Sequence, residues 1–146
     1  MAAPCALLLL AACTPHPVGP ARSYDKYRGK AVTTAQSALS VAETVRLLAE
    51  AAARGHTFGP YTAMSLSEQE NAISGLQATF ASIQPPEARA SELRSSLGHL
   101  LTQEVEQVGS LRISARRGQL RSLAQQAAPL EGVSKRLHEF IEANKA

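Results

Sequence analysis

The sequence lacks tryptophan altogether and has only three tyrosines and three phenylalanines in 146 residues. A core with so few rings has to be built from Leu, Val, Ile and many Ala, which favours closely packed helices over a sheet. No apolar run approaches the roughly 20 residues that span a bilayer. The net charge of +3 is small and dispersed, and the basic residues lack the interleaved aromatics that stack on bases, so nucleic acid is excluded as a partner.

Cysteine is almost as scarce, since only Cys5 and Cys13 occur and both lie in the apolar N-terminal segment. The remainder of the chain has no thiol, which excludes a disulfide scaffold, a thiol nucleophile and a Cys-ligated metal. The segment ends in Leu10-Ala11-Ala12-Cys13. Small residues before the cysteine let a membrane peptidase close around the backbone, and the thiol of Cys13 can carry a diacylglycerol.

This motif resembles the lipobox of bacterial lipoproteins. The resemblance implies that residues 1–12 are a signal segment, that Cys13 is lipidated, and that the lipid holds the protein on the extracytoplasmic face of the cell membrane. Residues 1–12 contain neither Lys nor Arg, which usually open a secretory signal, so we expect the natural start to lie upstream. The alternative is a soluble cytosolic helical protein with an apolar N-terminus.

Residues 13–23 are predicted to form the lipidated cysteine and a stalk. Pro15, Pro17 and Pro20 fall within six residues, which forbids a helix and favours an extended spacer. Residues 24–146 have the length of one domain, and their apolar residues show helical periodicity throughout.

The first two helices follow from apolar residues that recur at three- and four-residue steps. The first is predicted near residues 26–53 and ends at Gly55. The second opens near Ser65, which forms a capping-box pattern with Glu68. Residues 55–61 are accordingly expected to form a longer loop.

The third and fourth helices are marked by proline and glycine. The pair Pro85-Pro86 ends the second helix and starts the third, and Gly118 ends the third. Pro129 lies inside the fourth and is expected to interrupt it near Gln125. Because the links are short, consecutive helices have to be antiparallel. The predicted fold is all-α, a monomeric up-down-up-down four-helix bundle.

In this topology the first and third links lie together, at the end of the bundle away from the lipid, which we call the distal end. The candidate partner-binding residues gather there: Arg54, His56, Phe58, Tyr61, Arg116, Arg117 and Arg121. One interpretation is a docking site for an anionic protein or another envelope partner. In the other, the arginines offset the negative ends of helix macrodipoles while Phe58 and Tyr61 cover the open end of the bundle.

The sequence lacks the ligand patterns of the cofactor sites that are common in helical bundles. A di-iron site needs Glu-x-x-His pairs, and c-type haem needs Cys-x-x-Cys-His; neither pattern occurs. A b-type haem could use His99 or His138 with Met64, but these positions do not converge, and both histidines flank the leucine stripes. The sequence therefore predicts no cofactor and no metal site.

Hydrolytic chemistry has no motif either, since a Gly-x-Ser-x-Gly elbow and a phosphate-binding glycine loop are both missing. Most Glu residues fall on polar faces. Glu104 is the exception, because it stands seven residues after Leu97 and seven before Leu111, at the edge of the apolar stripe. We expect it to be partly buried against Arg46 or Arg121.

The body of the chain is similar to small, Ala- and Arg-rich helical lipoproteins of actinobacterial type that have no assigned activity. Residues 58–73, 82–87 and 113–118 carry this similarity. It supplies no catalytic motif. The expected function is a non-catalytic interaction or accessory module; a metal- or haem-binding bundle and a soluble helical protein of another role are the alternatives.

Overall fold

A computed structural model describes residues 21–145, so the predicted signal segment, Cys13 and most of the stalk lie outside the described residues. Within this range the chain is helical and has no strand, which confirms the all-α prediction. The elements in order are α1 (Tyr24–Ala53), α2 (Gly59–Ser82), α3 (Ala88–Arg116), a 3₁₀ turn (Leu120–Ser122), α4 (Leu123–Gln126) and α5 (Ala128–Asn144). No helix among residues 21–145 is long and apolar enough to cross a membrane.

The helices form an up-down-up-down bundle in which the 3₁₀ turn, α4 and α5 together make the fourth arm. The most extensive contacts join α2 with α3 and α1 with α5, and α1 also contacts α3. Tyr24, Arg89 and Asn144 line one cleft, which places the start of α1 and the end of α5 at the same end. Residues 52–57 and 118–126 meet at the opposite, distal end. The predicted topology is confirmed.

The core is built from alanines on α1 and from larger aliphatic residues on the other helices. Small residues on α1 let its neighbours approach closely, which suits the central position of this helix. Leu66, Ile73, Leu97, Leu111 and Leu137 are fully or almost fully buried, and residues on the same helix follow helical spacing. Leu76 on α2 and Val105 on α3 are only partly buried.

The start of α2 differs from the prediction. The helix begins at Gly59, with Phe58 as the N-cap residue, and Pro60 occupies its first turn. Proline is favoured there because its fixed φ matches the helix and its missing N–H would be unpaired in any case. Ser65 and Glu68 therefore lie inside the helix, the capping-box prediction is wrong, and the first link shrinks to residues 54–58.

Proline also shapes the later boundaries. Pro85 and Pro86 lie in the second link, and α3 begins only at Ala88. In the fourth arm α4 ends at Gln126 and α5 begins at Ala128, with Pro129 in its first turn. The predicted interruption is confirmed, since proline cannot donate the hydrogen bond that a continuous helix requires.

Two matching turns close the distal end of α1 and α3. Gly55 and Gly118 adopt φ values of +77° and +75°, a region that favours glycine. The amide after each glycine donates to a carbonyl five residues back, at 2.9 and 3.0 Å, as in a Schellman motif. Arg54 and Arg117 are the C-cap residues before these glycines. The chain thus presents two equivalent Arg-Gly turns side by side.

Candidate functional site

The distal end carries more positive charge than its carboxylates balance. Arg54 lies 3.6 Å from Glu50 on α1, and Arg112 forms an ion pair with Glu70 across the α2–α3 contact. The hydrogen bond to Glu70 raises the pKa of Arg112 above its usual value. Among residues 21–145, no carboxylate lies within 4.0 Å of the other three arginines, which are Arg116, Arg117 and Arg121.

Helix dipoles account for most of these arginines but not for all. Arg116 lies in the last turn of α3, and Arg54 and Arg117 cap α1 and α3. Positive charge at a helix C-terminus contributes about 0.3 to 1 kcal/mol. Arg121 is different because it belongs to the 3₁₀ turn that opens the fourth arm, where the dipole favours negative charge. A favourable interaction with a helix dipole therefore does not explain the position of Arg121.

An open cleft of about 880 Å³ separates the two distal links. Arg54 enters its lining from the first link and Arg121 from the 3₁₀ turn that follows the third link, and no acidic residue between positions 21 and 145 lines it. The remaining lining residues are apolar or neutral polar: Ala52, Ala53, Gly55, Thr57, Gly118, Gln119, Leu120, Ser122 and Gln126. The cleft is thus a cationic, partly apolar concavity.

A chain of hydrogen bonds fixes the third link beneath Arg121. The Ser114 hydroxyl donates to Gln126 Oε1 (2.6 Å), and Gln126 Nε2 donates to the Ser122 hydroxyl (2.7 Å). The Ser122 hydroxyl in turn donates to the carbonyl oxygen of Gln119 (3.0 Å). Because these bonds tie α3 to the fourth arm, they hold the backbone on both sides of Arg121 in one conformation. Nothing in the local sequence pattern signals this network.

Large apolar side chains are exposed beside the cleft. Phe58 is 67% exposed, Met64 58% and Tyr61 45%, and the rings of Phe58 and Tyr61 lie 5.9 Å apart. About two thirds of Phe58 and a little under half of Tyr61 remain in contact with solvent, so neither ring is enclosed by the end of the bundle. Leu47 and Ile113 are also exposed, and all five positions lie in the distal half of their helices. Aromatic, Met and Arg side chains are the types enriched in protein interfaces.

The structure sorts the candidate partner-binding residues into three groups. Arg54 and Arg121 share the cleft, and Phe58 and Tyr61 form the aromatic pair. Arg116 and Arg117 are exposed at the end of α3 outside the cleft. His56 is also exposed, and its backbone amide is engaged in the first glycine turn.

Met64 is a surface residue that the sequence reasoning missed, because it predicted a role for Met64 only as a haem ligand. Met64 lies three residues after Tyr61 and therefore on the same helical face, a spacing that could have identified it.

Glu104 is a second unusual group, in the middle of α3. It is fully buried, and neither carboxylate oxygen has a hydrogen-bond partner among the described residues. The expected partners are wrong: Arg46 pairs with Glu43 (2.9 Å) and Glu131 (3.9 Å), and Arg121 lies at the distal end. Burial raises the pKa of Glu104 to about 8, so the carboxyl group is largely protonated at neutral pH.

This buried acid does not amount to a reaction centre. Its side chain is inaccessible, so a dissolved substrate cannot reach it. No group of three His, Cys, Asp or Glu residues that could hold a metal occurs between residues 21 and 145. His99 contacts Gln103 (3.0 Å) and His138 lies 4.0 Å from Glu142; both rings are exposed, on the outer faces of α3 and α5.

Comparisons with protein-family models, with curated proteins and with solved structures give no match for this chain. The distal end is therefore interpreted from its own residues. Arginines without carboxylate partners, exposed aromatic side chains and a concave surface coincide there. Such a combination is typical of a binding surface.

Proposed function

We propose that this chain is a lipoprotein anchored through Cys13 on the extracytoplasmic face of the cell membrane. It acts there as a non-catalytic interaction or accessory module whose distal end binds an anionic protein. One observation carries the proposal: arginines without carboxylate partners and exposed apolar side chains occur together at the end of the bundle opposite the start of α1.

The length of α1 supports this arrangement. The helix has 30 residues, which corresponds to about 45 Å at 1.5 Å per residue. A lipid at Cys13 joins the chain near the beginning of α1, so the distal end stands well away from the point of attachment. A partner in the space beyond the membrane surface can then reach the arginines and the aromatic pair.

Energetics also favour binding at this end. Aromatic and Arg side chains dominate the affinity of many interfaces, and Phe58 and Tyr61 are already exposed in the free protein. An anionic group that approaches Arg121 does not have to displace an existing carboxylate partner. A new contact at Arg121 therefore adds to affinity without breaking an ion pair of the fold.

The anchor is tested with Cys13→Ala. We expect the wild type to partition into detergent with an acylated Cys13 as its mature N-terminus, and Cys13→Ala to be released from the membrane because it has no acceptor thiol. Mass spectrometry of the N-terminal peptide and membrane fractionation measure this. Cys5→Ala is the matched control and should fractionate like the wild type. An unmodified Cys13 still joined to Ala12 would contradict the anchor.

The distal end is tested with Arg117→Ser/Arg121→Ser. Lys135→Ser/Arg136→Ser is the matched control, since it removes the same charge from the outer face of α5. We expect the distal variant to lower recovery of cross-linked partners from membranes about tenfold at low ionic strength, with a loss that shrinks as added salt screens the arginines of the wild type. The control should retain them, and thermal melts of both should stay near the wild type. An identical set of partners for the wild type and the distal variant would contradict docking at this end.

A further inference from the structure

We infer that the cleft between the two Arg-Gly turns binds an acidic segment of the partner protein, whose carboxylates are held by Arg54 and Arg121. This inference rests on the proposed function and assigns the recognition step to one part of the distal end. It is carried by the charge of the lining, the shape of the cleft and the hydrogen bonds of the links that border it.

The charge of the lining selects an anion. Among the described residues, Arg54 and Arg121 are the charged residues of the cleft, and they come from separate parts of the chain, the first link and the 3₁₀ turn. A guanidinium group presents a planar fork of N–H donors that can hold a carboxylate through two parallel hydrogen bonds. Glu50 lies 3.6 Å from Arg54, beyond hydrogen-bonding distance, so the fork of Arg54 can still donate to a ligand.

The cleft is open to solvent and can admit part of an extended peptide. Its volume of about 880 Å³ lies in the range of ligand-binding sites. Ala52, Ala53 and Leu120 supply apolar lining for side chains, while Thr57 and Gln119 supply polar groups for a backbone. A bilayer surface would instead meet the exposed residues outside the cleft.

The backbone of both links is accessible to a ligand. Gly55 and Gly118 have no side chain, and a Cβ added at either would meet nothing within 4 Å, so the backbone there borders open space. The Ser114–Gln126–Ser122 hydrogen bonds hold the third link in place before any ligand arrives. Binding to an ordered site loses less conformational entropy than binding to a mobile loop.

The test uses a fluorescent octapeptide of glutamate and leucine, and a matched peptide in which glutamine replaces glutamate. Each is titrated with the full chain in detergent micelles, and anisotropy reports the affinity. We expect Arg54→Ser/Arg121→Ser to weaken binding of the glutamate peptide at least about tenfold. Arg116→Ser/Arg117→Ser removes equal charge outside the cleft and should weaken it less than about threefold. The glutamine peptide should bind at least about tenfold more weakly than the glutamate peptide.

A conservative variant separates the guanidinium fork from charge alone. Arg54→Lys/Arg121→Lys keeps both charges but loses the bidentate geometry. We expect its affinity for the glutamate peptide to lie between that of the wild type and that of the serine variant. Circular dichroism melts establish that each variant is folded at the assay temperature. If Arg54→Ser/Arg121→Ser and Arg116→Ser/Arg117→Ser lower the affinity for the glutamate peptide equally, net charge rather than the cleft is responsible for binding. The inference is then overturned.

A second probe separates this inference from the proposed function. Vesicles of phosphatidylglycerol are sedimented with the same variants. If vesicles bind through Arg116 and Arg117 while the glutamate peptide does not bind, the distal end docks on lipid and the cleft inference fails. If the peptide binds in the cleft but Arg117→Ser/Arg121→Ser leaves the membrane partners unchanged, the inference holds as a binding property and the proposed function fails.

Discussion

The free energy of unfolding should fall by roughly 3 kcal/mol between about pH 5 and about pH 8, because of Glu104. In the folded chain its pKa is about 8, whereas the ordinary value of 4.5 applies once the chain unfolds. The folded state therefore holds a proton that the unfolded state releases. The stabilisation is fully present below pH 4.5 and is lost as the pH rises through the folded pKa. Burial is the cause of this shift, and no charged neighbour in the described part of the chain, residues 21–145, contributes to it.

Urea titrations at a series of pH values measure this effect. Glu104→Gln has the same shape but cannot ionise, so its stability should be flat across the same range. Glu104→Leu should be more stable than the wild type at pH 8 by roughly 2 to 4 kcal/mol, since it removes an unpaired buried carboxyl group. Glu106→Gln, two residues along on the exposed face, should keep the slope of the wild type. A wild type with stability independent of pH would show that Glu104 is solvated or paired.

Leu97→Ala should lower the free energy of unfolding by about 3 to 5 kcal/mol, which would remove a large part of the stability of a domain this small. Leu97 is fully buried in the middle of α3, so truncation leaves a cavity that the surrounding helices can close only in part. Leu76→Ala is the matched variant on α2. Because Leu76 is only partly buried, we expect a loss of about 1 to 2 kcal/mol.

Denaturant midpoints at constant m-value measure both losses. The comparison is informative because the two residues are the same and occupy equivalent stripe positions in the sequence pattern. Equal losses would mean that α2 and α3 are packed more symmetrically than the burial of these leucines indicates. A midpoint unchanged by Leu97→Ala would show that the core lies elsewhere.

The sequence was sufficient for features set by local spacing. Leu97 and Leu111 belong to a stripe that repeats every three or four residues, and such a stripe is buried in any helix that packs on its neighbours. The interruption at Pro129 was equally predictable because the missing N–H is a property of the residue itself. Gly55 and Gly118 could be identified as helix ends from glycine's preference for positive φ.

Features that depend on distant residues were not accessible in the same way. The capping pattern at Ser65 predicted too late a start for α2, whereas Pro60 lies in the first turn of the helix. Glu104 looked like an edge residue, because spacing gives the face of a side chain but not the depth of the helix in the core. The shared cleft of Arg54 and Arg121 depends on two turns that are more than sixty residues apart.

The absence of tryptophan leaves tyrosine as the chromophore that reports on this molecule, and the tyrosines divide between its two ends. Tyr27 is fully buried, with its ring 5.7 Å from that of Phe80, so its near-ultraviolet circular dichroism follows packing at the end where α1 begins. Tyr61 is exposed beside Phe58 at the other end, where a soluble quencher can reach its emission. The circular dichroism of Tyr27 can thus report loss of packing where α1 begins. Quenching of Tyr61 emission can report a partner bound at the distal end, in the same unlabelled sample.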